Sequence, residues 1–238
     1  MDDLHEREIG VDPVDAYEVE AERMADRFVS HPMPDTKPGE HVQAGITRSP
    51  VAVQLFSKGT AVSYARKWAL GTNPAYGDRF DNDCTNFVSQ TMEAGGWSQI
   101  VGADRCDDRK KDSVWWFKRD GCPRRILSNI HASHTWGGAD NFFRFLKVSG
   151  RGTSVSNVSD LEEGDVLQRD HGDGTIHHTT VVTRRGDADA EIGGSTTRIR
   201  QMWLSYHTND NLDRPFWGKG GFHETSEPGW KYHGWKIS

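Results

Sequence analysis

Asp81-Asn-Asp-Cys-Thr-Asn-Phe-Val-Ser-Gln90 sets a single cysteine directly after three good N-cap residue types and ahead of a run that can wind into a helix. Phe87, Val88, Thr91 and Ala94 then share one packed face, and Gly95-Gly96 supplies a usual helix stop. Cys84 falls in the first turn, where unpaired N–H groups and the helix dipole favour negative charge. That position matters because the thiolate is the nucleophile, and an ordinary cysteine with a pKa of about 8.5 is mostly protonated at neutral pH. The competing reading is a small buried hydrophobe, the common fate of a free cysteine. This stretch by itself leaves both open.

Working outward, Ala61, Tyr64, Ala65, Trp68 and Ala69 repeat at helical spacing between Gly59-Thr60 and Gly71, which predicts a core helix, and Asn73-Pro74 turns the chain toward Cys84. Residues 97–124 read as a polar loop around Ser113-Val-Trp-Trp-Phe117, and an amphipathic segment follows from Gly138 to Lys147. Trp115, Trp116 and Trp136 are candidate cleft walls for substrate, with packed core aromatics as the safer reading. The period then changes. Leu161–Gln168 reads as a turn and short strand, His178–Thr183 as a β-branched run, and Gln201–His207 as an alternating strand. Helices first and strands later give an α+β class, with N-terminal helices packed on a C-terminal antiparallel sheet.

His178 opens one of these strands and His207 closes the next long one, so an antiparallel pairing can bring them together if the register allows. A nucleophile, base and orienter are then available: Cys84, His178 and His207. His177 competes with His178 for the role of base, since alternation lets only one face a cleft. Oxyanion donors are sought at the Cys84 N–H and in the side chains of Asn82 and Asn86, and Asp83 is a further candidate for binding substrate. The run Asp170-His-Gly-Asp-Gly-Thr-Ile-His-His178 concentrates metal-binding side chains but lacks regular ligand spacing, and a Gly-rich turn accounts for its start. No metal and no cofactor is expected.

A net charge of −6 argues against a nucleic-acid partner. The basic residues Arg105, Arg109, Lys110, Lys111, Arg124 and Arg125 are interrupted by Asp107, Asp108 and Asp112, as on a solvated surface. No apolar run reaches the roughly 20 residues that span a bilayer. Cys106 and Cys122 could close a short disulfide loop or remain reduced thiols, and spacing does not decide. A mean hydropathy of −0.74 is low for a compact enzyme and points to a solvated tail. Residues 1–50 fit that tail: Asp15 and Glu18 form a capping-box pattern, Tyr17, Ala21, Met24 and Phe28 repeat at helical spacing, and three prolines between His31 and His41 mark a linker. Residues 51–238 form the globular domain. The N-terminus is acidic and lacks the apolar core of a secretory signal.

Tyr64-Ala-Arg-Lys-Trp-Ala, Asn73-Pro-Ala-Tyr76, Asp83-Cys-Thr-Asn-Phe-Val-Ser-Gln90, Gly95-Gly-Trp97, Trp115-Trp116, Ser133–Trp136, Gly164-Asp-Val-Leu-Gln168, His178–Thr183 and Tyr206-His-Thr208 together resemble the bacterial putative amidase domain family, over roughly residues 51–220. That family is similar to the papain-like cell-wall cysteine hydrolases of the NlpC and CHAP type. The resemblance implies a papain-like fold, a Cys84 nucleophile, a His178 base, a third polar residue at His207, and cleavage of amide bonds in peptidoglycan. The run from Asp15 to Asp26 resembles leaders on bacterial proteins associated with contractile injection systems. It implies a secretion or injection apparatus as partner and export by a specialised route. A second function follows, an injected effector or toxin using the same Cys–His site on a protein as protease, deamidase or acyltransferase. A third is a catalytically silent, Trp-rich binding module.

Overall fold

The computed structural model describes residues 55–77, 79–122, 131–223 and 229–238. The leader helix, the Pro-rich linker and the boundary near residue 50 lie outside them. Helix α1 spans Lys58–Trp68 and opens on Ser57, whose hydroxyl accepts the Thr60 N–H at 3.2 Å. It buries Ala61, Val62 and Ala65, small residues that let it lie close to its neighbours.

Helix α2 spans Cys84–Ala94, as the opening stretch requires, and every residue from Cys84 to Met92 is buried. A buried helix rich in Thr, Asn, Ser and Gln survives only if each polar group finds a partner. Each does. Thr85 meets the Thr179 hydroxyl at 3.0 Å, Ser89 donates to the Trp136 carbonyl at 2.8 Å, Gln90 accepts from the Tyr64 phenol at 2.7 Å, and Thr91 donates to the Phe87 carbonyl. The helix ends in a Schellman motif: Gly96, at φ 113°, donates to Glu93, and Trp97 donates to Met92. Two further helices follow, α3 (His134–Gly137) and α4 (Ala139–Ser149), the latter closed by Gly150 at φ 71°.

Six strands form one sheet: β1 Gly152–Val155, β2 Val166–Asp170, β3 Ile176–Ile192, β4 Ser195–Tyr206, β5 Asn211–Pro215 and β6 Lys231–Ile237. Their order is β1-β6-β2-β3-β4-β5, and every pairing is antiparallel. The α+β class is therefore as expected. Asp187–Arg200, which interrupts the two histidine strands in the sequence, continues their ladder as far as Ile192–Ser195, and Gly193-Gly194 turns it with two positive φ angles.

Trp235, Val166, Val181 and Ser205 form one transverse row. The first three join Phe87, Val88, Phe142 and Phe145 in the core between sheet and helices. The next residues along each strand, Leu167, Val182 and Leu204, build a second core on the reverse face with Tyr206, Phe216 and Phe222. Trp115, Trp116 and Trp136 are 0% exposed, which corrects the cleft-wall reading in favour of the core. Trp115 and Trp136 lie 4.6 Å apart, and their indole N–H groups bond Ser89 and Asn86 of α2. Cys106 and Cys122 are free thiols in a third small cluster with Val114 and Trp116, and burial pushes Cys122 up to about 12. Among the described residues, no helix is long and apolar enough to cross a membrane.

Candidate active site

Cys84 starts α2 and is 4% exposed. Its sulfur lies against β3, where it meets the backbone N–H of Thr179, and it sits 3.7 Å from the Thr85 hydroxyl. Burial pushes the thiol above its ordinary value. The Thr179 N–H and the Thr85 hydroxyl pull it down, while the carboxylate of Asp83 adds to the rise. Desolvation is the largest of these influences, and it works against the thiolate that a helix start favours. Carbamidomethylation by iodoacetamide is expected to be slower at about pH 7 than for an exposed cysteine and to climb steeply above about pH 9; fast labelling that is flat with pH would contradict this.

His178 sits directly across from Arg169 of β2. Strand alternation puts it on the reverse face with Val182, whereas Thr179 and Val181 face α2. Its ring lies edge-on to Tyr206 at 4.9 Å and stacks on Phe222 at 5.9 Å. Burial first, then the positive charges of Arg169 and Arg214, push the imidazole down to about 3. The unfolded chain takes up a proton on this histidine below about pH 6.5, and the folded chain does not until about pH 3. Stability therefore rises with pH through this window, by at most about 1.4 kcal/mol per pH unit for one proton. A His178→Gln protein compared with wild type in urea melts from pH 4 to 7 is expected to have lost that slope; identical slopes would refute the neutral imidazole.

His177 is the extra residue of a bulge, since Arg169 pairs with His178 and Asp170 with Ile176. It contacts Asp173 at 3.2 Å and stacks on His171 at 4.1 Å, and His171 in turn stacks on Trp230. Asp170 bonds His233 at 2.7 Å. The histidine-rich run is thus divided among hydrogen bonds to carboxylates and ring stacks.

His207 does not meet His178. The Val181–Ser205 pairing carries its parity to the α2 side of the sheet, opposite that of His178. There it stacks on Phe87 at 4.2 Å, its Nδ1 contacts the Asp83 carboxylate, and its Nε2 lies 2.9 Å from the Trp68 carbonyl. A carbonyl only accepts, so Nε2 donates to it and Nδ1 shares a proton with Asp83. The orienting role expected for His207 toward His178 is absent from this arrangement, because both ring nitrogens are already engaged.

Asp83 occupies the N-cap position of α2 without capping it through its side chain. Its Oδ1 accepts from the Phe80 N–H at 3.1 Å and from Asn86 at 2.7 Å, and its own N–H donates to the Thr208 hydroxyl at 3.0 Å. Thr208 holds a φ of 62°, a costly conformation for a β-branched residue and typical of functional surroundings. Asn86 receives the Trp136 indole N–H at 2.7 Å while donating to Asp83, so both ends of its amide are committed. Of the two side chains considered as oxyanion donors, Asn82 is exposed and Asn86 buried.

The sequence reading missed the Asp83–His207 contact, Thr179, and the two arginines beside His178. Arg169 had a findable signal, because it lies on the strand preceding His178; the face of His207 had none, since it depends on register.

The comparisons agree with the motif. The chain is 32% identical to Uncharacterized protein YhbB of Bacillus subtilis (strain 168) over 151 residues, 61% of this chain and 43% of that protein. It is 26% identical to Uncharacterized protein YjcM of the same organism over 182 residues, 71% of this chain and 35% of that protein. The chain thus spans less than half the length of these curated relatives. No solved structure matches it. The family described as "Putative amidase domain" matches residues 56–227, which include Cys84, His178, His207 and the buried contacts that join His207 to α2, and the chain belongs to that family.

Proposed function

We propose that the chain is a cysteine-dependent amide hydrolase of papain-like architecture, acting on peptidoglycan, with Cys84 as nucleophile and His178 as general base. Membership of the amidase family supports hydrolysis of an amide. The observation that carries the cysteine mechanism is the contact between the Cys84 sulfur and the N–H of Thr179. That nitrogen is two bonds from the Cα of His178, so the sulfur lies beside the strand that carries the proposed base, whose resting imidazole faces the reverse side of the sheet. A central helix bearing the cysteine against an antiparallel sheet supports the papain-like reading.

In the mechanism, His178 takes the thiol proton as sulfur adds to the amide carbonyl carbon. The oxyanion is held by the Cys84 N–H at the helix start, with Asn82 as the side-chain donor. Collapse breaks the C–N bond, and the imidazolium returns its proton to the departing amine. Water then attacks the thioester with His178 again as base, releasing the acid and restoring the thiol.

Purified peptidoglycan and a cell lysate are each incubated with wild type and Cys84→Ala. Muropeptide fragments released by wild type alone are the expected result. An unchanged wall digest alongside newly cleaved lysate proteins would overturn the wall reading and favour a protein substrate.

A further inference from the structure

We propose that Cys106 and Cys122 are an oxidisable pair, closed by peroxide into a reversible disulfide that braces residues 107–121 behind the helix that carries Cys84. This bond is separate from the chemistry proposed for Cys84. Both cysteines are buried, 1% and 2% exposed, in one cluster with Val114 and Trp116. Their thiols share a hydrogen bond. An ion pair holds the same two segments together: Arg105, which precedes Cys106, meets Asp120, two residues before Cys122, at 3.8 Å. Each segment is also fixed by its own turn. The Asp104 carboxylate accepts the Cys106 N–H at 2.9 Å, the Cys106 carbonyl accepts from Arg109 at 2.9 Å, and Gly121 donates to the Lys118 carbonyl at 3.0 Å. The two sulfurs are thus neighbours before any bond joins them.

The surroundings suit the chemistry of oxidation. Burial and the contact with Cys106 raise the Cys122 thiol, while the charges of Arg105 and Arg109 pull the other way and favour the thiolate that reacts. Trp116 is 0% exposed, and its indole N–H has no hydrogen-bond acceptor among the described residues. Hydrogen peroxide is small and uncharged, so a buried thiol excludes it least. A thiolate attacks one peroxide oxygen, the O–O bond breaks, and the departing hydroxide leaves as water with the thiol proton. The sulfenic acid that results brings into this cluster an oxygen acceptor, which the Trp116 N–H lacks. The second sulfur then attacks the first, the S–S bond forms as the S–O bond breaks, and the hydroxyl leaves as a second water with the second thiol's proton. Two sulfurs are oxidised and one peroxide is reduced. The closed segment contains Trp115, whose indole donates to Ser89 of α2 at 3.0 Å, so a bridge across it stiffens a wall of that helix.

The test uses the full chain bearing Cys84→Ala, which leaves Cys106 and Cys122 as its two cysteines. The folded protein is treated with hydrogen peroxide at about pH 8, where more of the thiol is ionised. Thiols titrated in urea are expected to fall from two to none and to return with dithiothreitol, and a protease digest should join the two cysteine peptides within one chain. Adding dithiothreitol to the oxidised protein is expected to lower its melting temperature by about 5–10 °C, as loss of a bridge over a loop of this length does. Cys106→Ala and Cys122→Ala, each placed in the same chain, should show no such drop. Thiols that stay titratable, thiols lost beyond recovery by dithiothreitol, or bridges between two chains would overturn the pair. A joined pair whose reduction leaves the melting temperature unchanged would overturn the brace.

Discussion

Replacing His207 with alanine is expected to lower the unfolding free energy by at least about 1–3 kcal/mol, the cost of leaving a buried hydrogen-bonding partner unsatisfied. Asp83 and His207 are each 3% exposed, so the carboxyl left behind has no route to solvent. Two further losses accompany it: the Trp68 carbonyl forfeits its donor, and Phe87 loses the ring stacked on it. Asp83→Asn is expected to be costly as well, and the two changes together should cost less than their sum. A double-mutant cycle in urea then reads a coupling of about 1–3 kcal/mol. His207→Gln, which keeps a donor for Trp68, should recover part of the loss and provides a soluble variant if the alanine protein folds poorly. Additive effects within about 0.5 kcal/mol would mean that the pair is not a unit. The same contact positions the nucleophile, because Asp83 is the residue before Cys84 and ties the start of α2 to the end of β4.

Much of this was legible in the chain, and what was not has a common cause. The helix over Cys84–Ala94 follows from cap types, a packed face and paired glycines, all of which are local. The change from helical to strand period gave the α+β class for the same reason. Register is different. Whether His207 falls beside His178 or on the opposite face depends on one pairing, Val181 with Ser205, and a shift of one residue exchanges the faces. The tryptophans were ambiguous because a buried indole and a cleft-lining indole need the same partner for the N–H; the partners, Ser89 and Asn86, are distant in sequence. Burial also reversed the charge argument at Cys84. Helix position is visible in the sequence, but the strand covering the sulfur is not. The C-terminal β6, which lies between β1 and β2, went unread because Trp230–Ile237 is short and mixes Lys, His and Gly among its aromatics.

Cys84 and His178, if they act as one unit, lose function non-additively. Cys84→Ala is expected to reduce kcat/KM by about 10⁴–10⁶-fold, as removal of a nucleophile does. His178→Ala should cost about 10²–10⁴-fold, the usual contribution of a positioned base. The double variant should be no slower than Cys84→Ala, since a base with no thiol to deprotonate contributes nothing; a double loss equal to the product of the single losses would mean that the two residues serve separate steps. The pH dependence separates this pair from a resting thiolate–imidazolium pair. In the free protein His178 is held down to about 3 by burial and by two arginines, so the acidic limb of kcat/KM should lie well below the ordinary histidine value. Activity should therefore be retained at pH 5. An acidic limb centred near 6.5 would instead require an imidazole in water, remote from Arg169 and Arg214, and would remove His178 from the role of base. Burial raises the thiol, which favours proton transfer to His178 in concert with attack, and the rate is then expected to fall in heavy water.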